Sequence, residues 1–265
     1  MSNSRYVAGL RAVEQLIGSD HARISKLYAE YQSANPRVEA IIARANAHGI
    51  EIQAANRARL QQISGEARHQ GIVAEIVRSS VLDEAALRSL VENRLSEESS
   101  PLLLLILDGI QDPHNLGACL RTAEAAGVHA VVVPRHGAAG LGPTVSKVAA
   151  GAAECLPFAS VPNVGRVLQW LGEYGVRCIG TGDEARTSLF DCDLTGHLAL
   201  VMGREDCGIS KGAASRCDEL VALPMKGSVS SLNVSVACGV CLYEALRQRS
   251  AVASAGSIVI RDRIG

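Results

Sequence analysis

The sequence has no long hydrophobic run. Its longest strongly apolar stretch, residues 102–107, is far shorter than the roughly 20 residues that cross a bilayer. The N-terminal residues also lack the apolar region of a secretory signal peptide. We therefore expect a cytoplasmic protein without membrane contact. We also expect its eight cysteines to be reduced and mostly buried, because disulfide frameworks belong to exported chains.

A metal-binding pattern is missing as well. Cys238 and Cys241 are closely spaced, but neither a second such pair nor a His-x-x-x-His segment accompanies them. A structural zinc site takes four Cys or His ligands, so two thiols alone do not make one. We expect no metal.

Internal repeats, low-complexity tracts and strong net charge are also absent, which excludes solenoids and disordered chains. The net charge is −1, and 48% of the residues are hydrophobic, as in an ordinary folded protein. Residues 1–80 carry ten Lys or Arg against seven Asp or Glu, whereas residues 81–100 carry two against five. A mildly basic first segment is compatible with nucleic-acid phosphates, but this charge does not by itself indicate RNA.

The first eighty residues alternate helical and extended patterns. A helix is predicted to begin at Asn35-Pro36, because Asn caps helices and Pro suits the first helical position, and to end before Gly49. The remaining predicted elements are an apolar-periodic helix at 10–17 and strands at 24–29 and 71–77. This pattern predicts a compact α/β unit.

A polar, acid-rich and partly helical stretch at residues 81–100 ends in Ser-Ser-Pro and separates this unit from the rest of the chain. We therefore expect a small N-terminal domain at 1–78, a linker at 79–100, a larger domain at 101–250 and a tail at 251–265.

The larger domain alternates apolar strands with helices, which indicates a parallel α/β sheet covered on both faces. Its predicted strands lie at 102–107, 130–133, 177–180, 198–202 and 219–223, and its predicted helices include 115–126 and 232–249. In such sheets, ligands bind at the carboxyl ends of the strands, so the loops that follow strands are the places to search for a site.

Three of these loops carry polar residues. The loop at 108–117 contains Asn115 and leads into a helix that places Arg121 one to two turns inside. The loop at 202–208 puts Glu205 between glycines, and the loop at 223–235 puts Ser231 and Asn233 at a helix N-terminus. Four of these residues also have a purely structural explanation, Asn115 and Ser231 as helix caps and Arg121 and Glu205 as surface charges.

Taken together, these loops resemble the three signature motifs of the SPOUT superfamily, specifically its ribose 2′-O-methyltransferases. The resemblance rests on DPHNLGACLRTA at 112–123, MGREDCG at 202–208 and PMKGSVSSLNVSVA at 224–237, in the family's order and spacing. Near the N-terminus, YVAG at 6–9 and HQGIV at 69–73 resemble the RNA-binding domain of the bacterial 23S ribosomal RNA guanosine-2′-O-methyltransferases.

The resemblance covers nearly the whole chain and implies a function. The expected enzyme transfers a methyl group from S-adenosylmethionine to the 2′-hydroxyl of a guanosine ribose in 23S ribosomal RNA. The implied fold is a SPOUT-type parallel sheet with a C-terminal trefoil knot, an exception to the rule that chains are unknotted, preceded by a small α/β RNA-binding domain. The family also implies a homodimer.

Site residues follow from the same resemblance. The residues implied to enclose the cofactor are Gly203, Leu223, Met225 and Leu232. The residues implied to line the reaction site are Asn115, Arg121, Glu205, Ser231 and Asn233. Arg121 is the residue usually proposed to activate the ribose hydroxyl. Arginine keeps its proton above roughly pH 12, however, so orienting a phosphate and stabilising a developing alkoxide is the easier role. The sequence does not choose between the two roles.

The chain departs from the family pattern in two places. Its second motif has Arg204, Glu205 and Asp206 where Asn or Ala and then Glu-Gly are common, so the loop at 204–207 could have a different shape. Arg11 stands where the N-terminal motif usually has His.

Three other functions remain open at this point. The GTGDEA segment at 180–185 imitates a dinucleotide fingerprint and would suit a nicotinamide-dependent oxidoreductase, although no helical pattern directly follows it. A non-catalytic RNA-binding protein is the second alternative, and a transfer RNA 2′-O-methyltransferase is the third.

Overall fold

The computed structural model describes residues 4–20, 24–30, 35–65, 69–77, 81–97, 100–183 and 185–261. The chain divides into two compact units, Met1–Ser80 and Val81–Gly265. No helix among the described residues combines the length and apolar character that a membrane crossing requires.

The described residues of the first unit form a four-stranded sheet and three helices. Its strands are β1 (Ser4–Ala8), β2 (Ile24–Glu30), β3 (Ile52–Ala55) and β4 (Ile72–Val77), in the spatial order β1-β4-β2-β3. Its helices are α1 (Leu10–Asp20), α2 (Pro36–Ala47) and α3 (Arg57–Ser64). Strand β4 runs antiparallel to both of its neighbours, and β2 pairs with β3 in parallel.

Helix α2 confirms the predicted start and stop signals. The side chain of Asn35 accepts a hydrogen bond from the Arg37 N–H at 3.0 Å, and Pro36 takes the first helical position. Gly49, just beyond the last turn, has a φ of +72°, a conformation that glycine adopts without strain.

The second unit is built on a seven-stranded sheet in which every pairing is parallel. Its strands are β5 (Leu103–Leu107), β6 (Ala130–Pro134), β7 (Phe158–Val161), β8 (Arg177–Thr181), β9 (Thr187–Ser188), β10 (Leu198–Met202) and β11 (Glu219–Ala222). The spatial order is β7-β6-β5-β10-β8-β11-β9. The α/β class with a parallel sheet is therefore confirmed, whereas the trefoil knot stays a prediction.

Helices cover both faces of this sheet. They are α4 (Glu84–Ser96), α5 (Pro113–Ala125), α6 (Pro143–Ala149), α7 (Ala152–Cys155), α8 (Val164–Glu173), α9 (Lys211–Ala214) and α10 (Val234–Arg261). Successive residues of a strand point to opposite faces. Accordingly, Leu103, Leu105 and Leu107 pack into a core with α5 and α10, and Leu104 and Ile106 pack into a second core with α4 and α8.

Helix α4 lies within the segment expected as a linker, residues 79–100. Asp83 caps this helix by accepting a hydrogen bond from the Ala86 N–H at 2.8 Å. Leu87 and Val91, four residues apart on one face, are fully buried in the core of the second unit. Burial of this face makes α4 part of the second unit, although most of its exposed residues are polar or charged.

The last helix is longer than the predicted segment 232–249. It continues to Arg261, because residues 250–261 contain no proline to stop it, and so it includes most of the expected tail at 251–265. Residues 262–265 lie outside the described part of the chain.

Candidate active site

The carboxyl ends of the central strands bring the polar loops together. Strands β5 and β10 are neighbours, and the Asp108 N–H donates to the Met202 carbonyl at 2.8 Å. The Ser210 N–H in turn donates to Asp108 Oδ2 at 2.8 Å. The segments that follow β5 and β10 are therefore joined by one backbone–backbone hydrogen bond and by one hydrogen bond to the Asp108 carboxylate.

A cavity of about 460 Å³ opens between the loops that follow β8, β10 and β11. This volume is in the range of small-molecule sites, roughly 300–1,000 Å³. All four residues predicted to enclose the cofactor line it, and so do two of those predicted to line the reaction site: Gly203, Leu223, Met225, Leu232, Glu205 and Ser231.

Strand β8 supplies a further part of the wall, which the sequence patterns did not predict. Thr181, Gly182 and Asp183 also line the cavity. The signal was the GTGD sequence at the end of a predicted strand, which had been assigned to a rival dinucleotide fingerprint. In the structure this segment is followed by β9 and a short 3-10 helix, Leu189–Asp191, and not by a long helix whose N-terminus could hold a pyrophosphate.

Gly203 makes the close approach on which one wall of the cavity depends. A Cβ at this position would lie 2.0 Å from the carbonyl carbon of Gly208 and 2.1 Å from the Ile209 nitrogen. The backbone doubles back here, since the Arg204 N–H donates to the Gly208 carbonyl at 3.1 Å and the Gly208 N–H donates to the Arg204 carbonyl at 2.9 Å. Only glycine fits at 203 without moving this loop.

Three of the predicted reaction-site residues meet beside the cavity. Asn115 Nδ2 donates a hydrogen bond to Glu205 Oε1, and Asn233 Nδ2 donates to Asn115 Oδ1 at 3.0 Å. Asn115 lies in the first turn of α5, whereas Glu205 and Asn233 come from the loops after β10 and β11. The structural explanation of Asn115 as a helix cap is wrong, because Asp112 caps α5 by accepting from the His114 N–H at 2.9 Å.

Arg121 is in a different position. Its side chain is exposed on α5 and has no hydrogen bond or ion pair within the part of the chain that the structure describes. It is not among the residues that line the cavity, and it makes no hydrogen bond to Asn115, Glu205 or Asn233. Because it is exposed and unpaired in the described part of the chain, the Arg121 guanidinium can bind an anion such as a phosphate. One turn earlier on α5, Gly117 packs tightly on α6, where an added Cβ would lie 2.7 Å from Val148 Cβ.

Arg204 and Asp206, the two unusual residues of the second motif, form hydrogen bonds with each other. Arg204 donates through Nε and a terminal nitrogen to the two carboxylate oxygens of Asp206, at 2.9 and 2.6 Å. This hydrogen bonding raises the pKa of Arg204 and lowers the pKa of Asp206. The stem of Arg204 packs over Gly109, whose φ of +92° and missing side chain leave room for it.

All eight cysteines are free thiols. Burial raises the pKa of Cys178, Cys217 and Cys241 to about 12, so these thiols stay protonated at neutral pH. Cys207, at the mouth of the cavity, is exposed. Among the described residues, no three His, Cys, Asp or Glu side chains are grouped as ligands of a metal ion.

Comparison with known proteins agrees with this geometry. The family model for the SpoU rRNA methylase family matches residues 102–243, and the model for RNA 2′-O ribose methyltransferase substrate binding matches residues 6–81. The chain is 46% identical to the 23S rRNA (guanosine-2′-O-)-methyltransferase RlmB of Coxiella burnetii, over 96% of this chain and 99% of that protein. It is 47% identical to the protein of the same name from Pseudomonas syringae pv. tomato, over 95% and 98%.

Solved structures show the same fold. The SpoU methyltransferase AviRb from Streptomyces viridochromogenes is 26% identical, with a TM-score of 0.63 over 94% of this chain and 91% of that chain. The A. aeolicus TrmH/SpoU tRNA modifying enzyme is 27% identical, with a TM-score of 0.54 over 63% of this chain and 85% of that chain. The predicted family is therefore confirmed: the chain belongs to the SpoU rRNA methylase family.

Proposed function

We propose that this protein transfers a methyl group from S-adenosylmethionine to the 2′-hydroxyl of a guanosine ribose in 23S ribosomal RNA. The observation that carries the proposal is the meeting of Asn115, Glu205 and Asn233, from three distant segments, beside a cavity of ligand size. Near full-length relatives at 46–47% identity are named for this reaction, which supports the choice of substrate.

The cofactor would occupy the cavity between the β8, β10 and β11 loops. Gly203 presents backbone to it at close range, and Leu223, Met225 and Leu232 supply apolar contact for a flat adenine ring. When bound, S-adenosylmethionine supplies an electrophilic methyl group on a sulfonium. The products would be the 2′-O-methylated ribose and S-adenosylhomocysteine, and the hydroxyl proton would pass to a base or to solvent.

The protein's own residues then have to position the ribose. We assign this task to Asn115, Glu205, Ser231 and Asn233 at the cavity and to Arg121 outside it. Arg121 suits a role in holding the phosphate next to the target ribose, because its exposed guanidinium has no protein partner among the described residues and can form two parallel hydrogen bonds.

The first unit would dock the RNA. Residues 6–81 match a substrate-binding family model, and this unit precedes the catalytic one in the near full-length relatives named for 23S ribosomal RNA. A transfer RNA substrate is less well supported, since the tRNA-modifying enzyme from A. aeolicus matches only 63% of this chain. A ribosomal RNA substrate implies a cytoplasmic enzyme.

We also propose a homodimer. Helix α10 exposes Val236 and Tyr243 by 53% and 52%, and Leu246 by 37%, on a helix whose other face is buried in the core. Apolar surface of this kind is typical of subunit interfaces.

The decisive experiment uses RNA from a strain in which the gene is deleted. Purified protein and S-adenosylmethionine labelled at the methyl group should modify one ribose in 23S RNA, and mapping should locate it on a guanosine. RNA from the parent strain is the control and should take up little label. Label found only in transfer RNA, or none in either RNA, would contradict the proposal.

A further inference from the structure

The contact between Asn115 and Glu205 is the end of a longer hydrogen-bonded chain, which we call the amide relay. It consists of Ser235, Asn233, Asn115 and Glu205. Both the N–H and the hydroxyl of Ser235 donate to Asn233 Oδ1, at 2.9 and 2.6 Å. Asn233 Nδ2 donates to Asn115 Oδ1 at 3.0 Å, and Asn115 Nδ2 donates to Glu205 Oε1.

The direction of the amide relay is fixed at both ends. At one end, the two donors of Ser235 require the oxygen of the Asn233 amide to face them, so its nitrogen must face Asn115. At the other end, an ionised carboxylate only accepts, so the nitrogen of the Asn115 amide must face Glu205. Both requirements give the same orientation to each amide. A flip would break two hydrogen bonds at Asn115 and three at Asn233.

Capping of α10 does not account for this arrangement. A cap needs only the bond from the Ser235 N–H to Asn233 Oδ1. The hydroxyl of Ser235 and the bond from Asn233 to Asn115 extend the network toward the cavity. Glu205 lines that cavity, and its second oxygen, Oε2, has no partner among the described residues.

We propose that Ser235 is a positioning residue for methyl transfer. Acting through Asn233 and Asn115, it holds the Glu205 carboxylate at the cavity with Oε2 turned to accept a hydrogen bond from the ribose hydroxyl. This inference rests on the proposed function. A carboxylate on an exposed loop would otherwise sample many orientations, and placing an acceptor in advance favours reactive geometry in the substrate complex.

The test replaces the hydroxyl and leaves the cap. In Ser235→Ala, the N–H still bonds to Asn233, but the relay loses one of the two donors that orient it. We expect the single-turnover rate of 23S RNA methylation to fall about tenfold, the effect of one hydrogen bond that orients a reacting group. The affinity for S-adenosylmethionine, measured by calorimetry, should stay within about twofold. Ser235→Thr retains the hydroxyl and should recover most of the rate.

Ser250→Ala is the matched control. It removes a hydroxyl from the same helix, where Ser250 Oγ donates to the Leu246 carbonyl at 2.8 Å, and it should leave the rate unchanged. Asn233→Asp is a second probe, because it keeps the cap oxygen but removes the amide donor toward Asn115. It should lose at least as much rate as Ser235→Ala without lowering the melting temperature by more than a few degrees.

A double substitution separates positioning from a general structural role. In a Glu205→Ala background, adding Ser235→Ala should change the rate less than about twofold, because no carboxylate remains to be positioned. Multiplying losses, or a Ser235→Ala rate equal to that of the wild type, would overturn the inference. Failure of the wild-type protein to methylate 23S RNA would instead overturn the proposed function, so the two failures are distinguishable.

Discussion

Replacing Gly203 by alanine is the sharpest test of the cavity. The added Cβ would lie 2.0 Å from a backbone carbon of Gly208, whereas ordinary contacts begin at 3.4 Å. The loop at 204–208 must therefore move by about 1.4 Å, the difference between these distances. No flexible side chain can yield instead, because the two nearest residues meet the Cβ with backbone atoms.

This movement should cost affinity more than stability. The two backbone hydrogen bonds between Arg204 and Gly208 would lengthen, and overpacking adds strain, for a total of roughly 2–3 kcal/mol. If the loop relaxes by opening away from Gly203, this energy appears as lost cofactor affinity, about 30- to 150-fold in Kd. Calorimetric titration with S-adenosylmethionine measures it directly.

Two glycines serve as controls for this prediction. Gly212→Ala places a Cβ in open space on α9, and Gly182→Ala does so on the opposite wall of the cavity, with no heavy atom within 4 Å of either. We expect the Gly212 variant to bind like the wild type and to melt at the same temperature or higher. Wild-type affinity in Gly203→Ala would refute the close-approach argument. A comparable loss in Gly212→Ala would show that the titration reports global stability and not the cavity.

Four further predictions follow from other parts of the chain. Arg121→Lys should lose most of the single-turnover rate and Arg121→Ala nearly all of it, with cofactor affinity and melting temperature unchanged, since a point ammonium does not replace a forked guanidinium; near-normal turnover in the alanine variant would remove Arg121 from the mechanism. A chain beginning at Val81, which keeps α4, should bind cofactor in calorimetry but methylate 23S RNA poorly, and equal activity would show that the first unit has another purpose. Sedimentation at micromolar concentration should give about twice the 27.8 kDa chain mass, and a fully active monomer would contradict the dimer. Burial lowers the pKa of the His129 imidazole from 6.5. The contribution of this residue to the free energy of unfolding is therefore complete above pH 6.5 and declines below it, because the unfolded chain takes up the proton more readily. The melting temperature plotted against pH should be flatter for His129→Gln than for the wild type.

Helix caps and stop residues correctly predicted the helix ends at which they lie. The cap at Asn35 and the stop at Gly49 located α2, because both act within one turn of the chain. Helix α4 was assigned to a linker because only a narrow apolar face, with Leu87 and Val91 at its centre, is buried. The strand that it packs against, β7, follows more than sixty residues later, and no short window of sequence contains that contact.

Hydrophobic periodicity could not predict the order of the strands in the sheet, for the same reason. An apolar run such as residues 198–202 identifies a buried strand, but not its neighbours. Strand β10 is inserted between β5 and β8, although β9 precedes it in the chain. That insertion places the loop after β10 next to the loop after β5. The site therefore depends on the order of the strands, which no local pattern of residues specifies.

The site residues were also ambiguous when they were considered singly, without their neighbours in the fold. Taken one at a time, Asn115 and Ser231 are interpreted more readily as caps, and only the family resemblance assigned them to a reaction. The structure gives the cap of α5 to Asp112 and so leaves Asn115 free to join Glu205 and Asn233. Thr181 and Ser235 were missed, because a Thr that ends a strand and a Ser in the first turn of a helix are ordinary residues until their neighbours are known.

The departures at Arg204 and Asp206 show which features of the second motif the cavity requires. Their charges are paired with each other at the rim, so neither demands a partner from the cavity or from a ligand. The close approach that forms the wall is made by the backbone at Gly203 and Gly208, and both glycines are present. A change that adds two opposite charges can therefore leave the cavity intact, whereas a single methyl group at 203 cannot. For this loop, the backbone at 203 and 208 shapes the wall of the cavity, and the paired side chains at 204 and 206 line its rim.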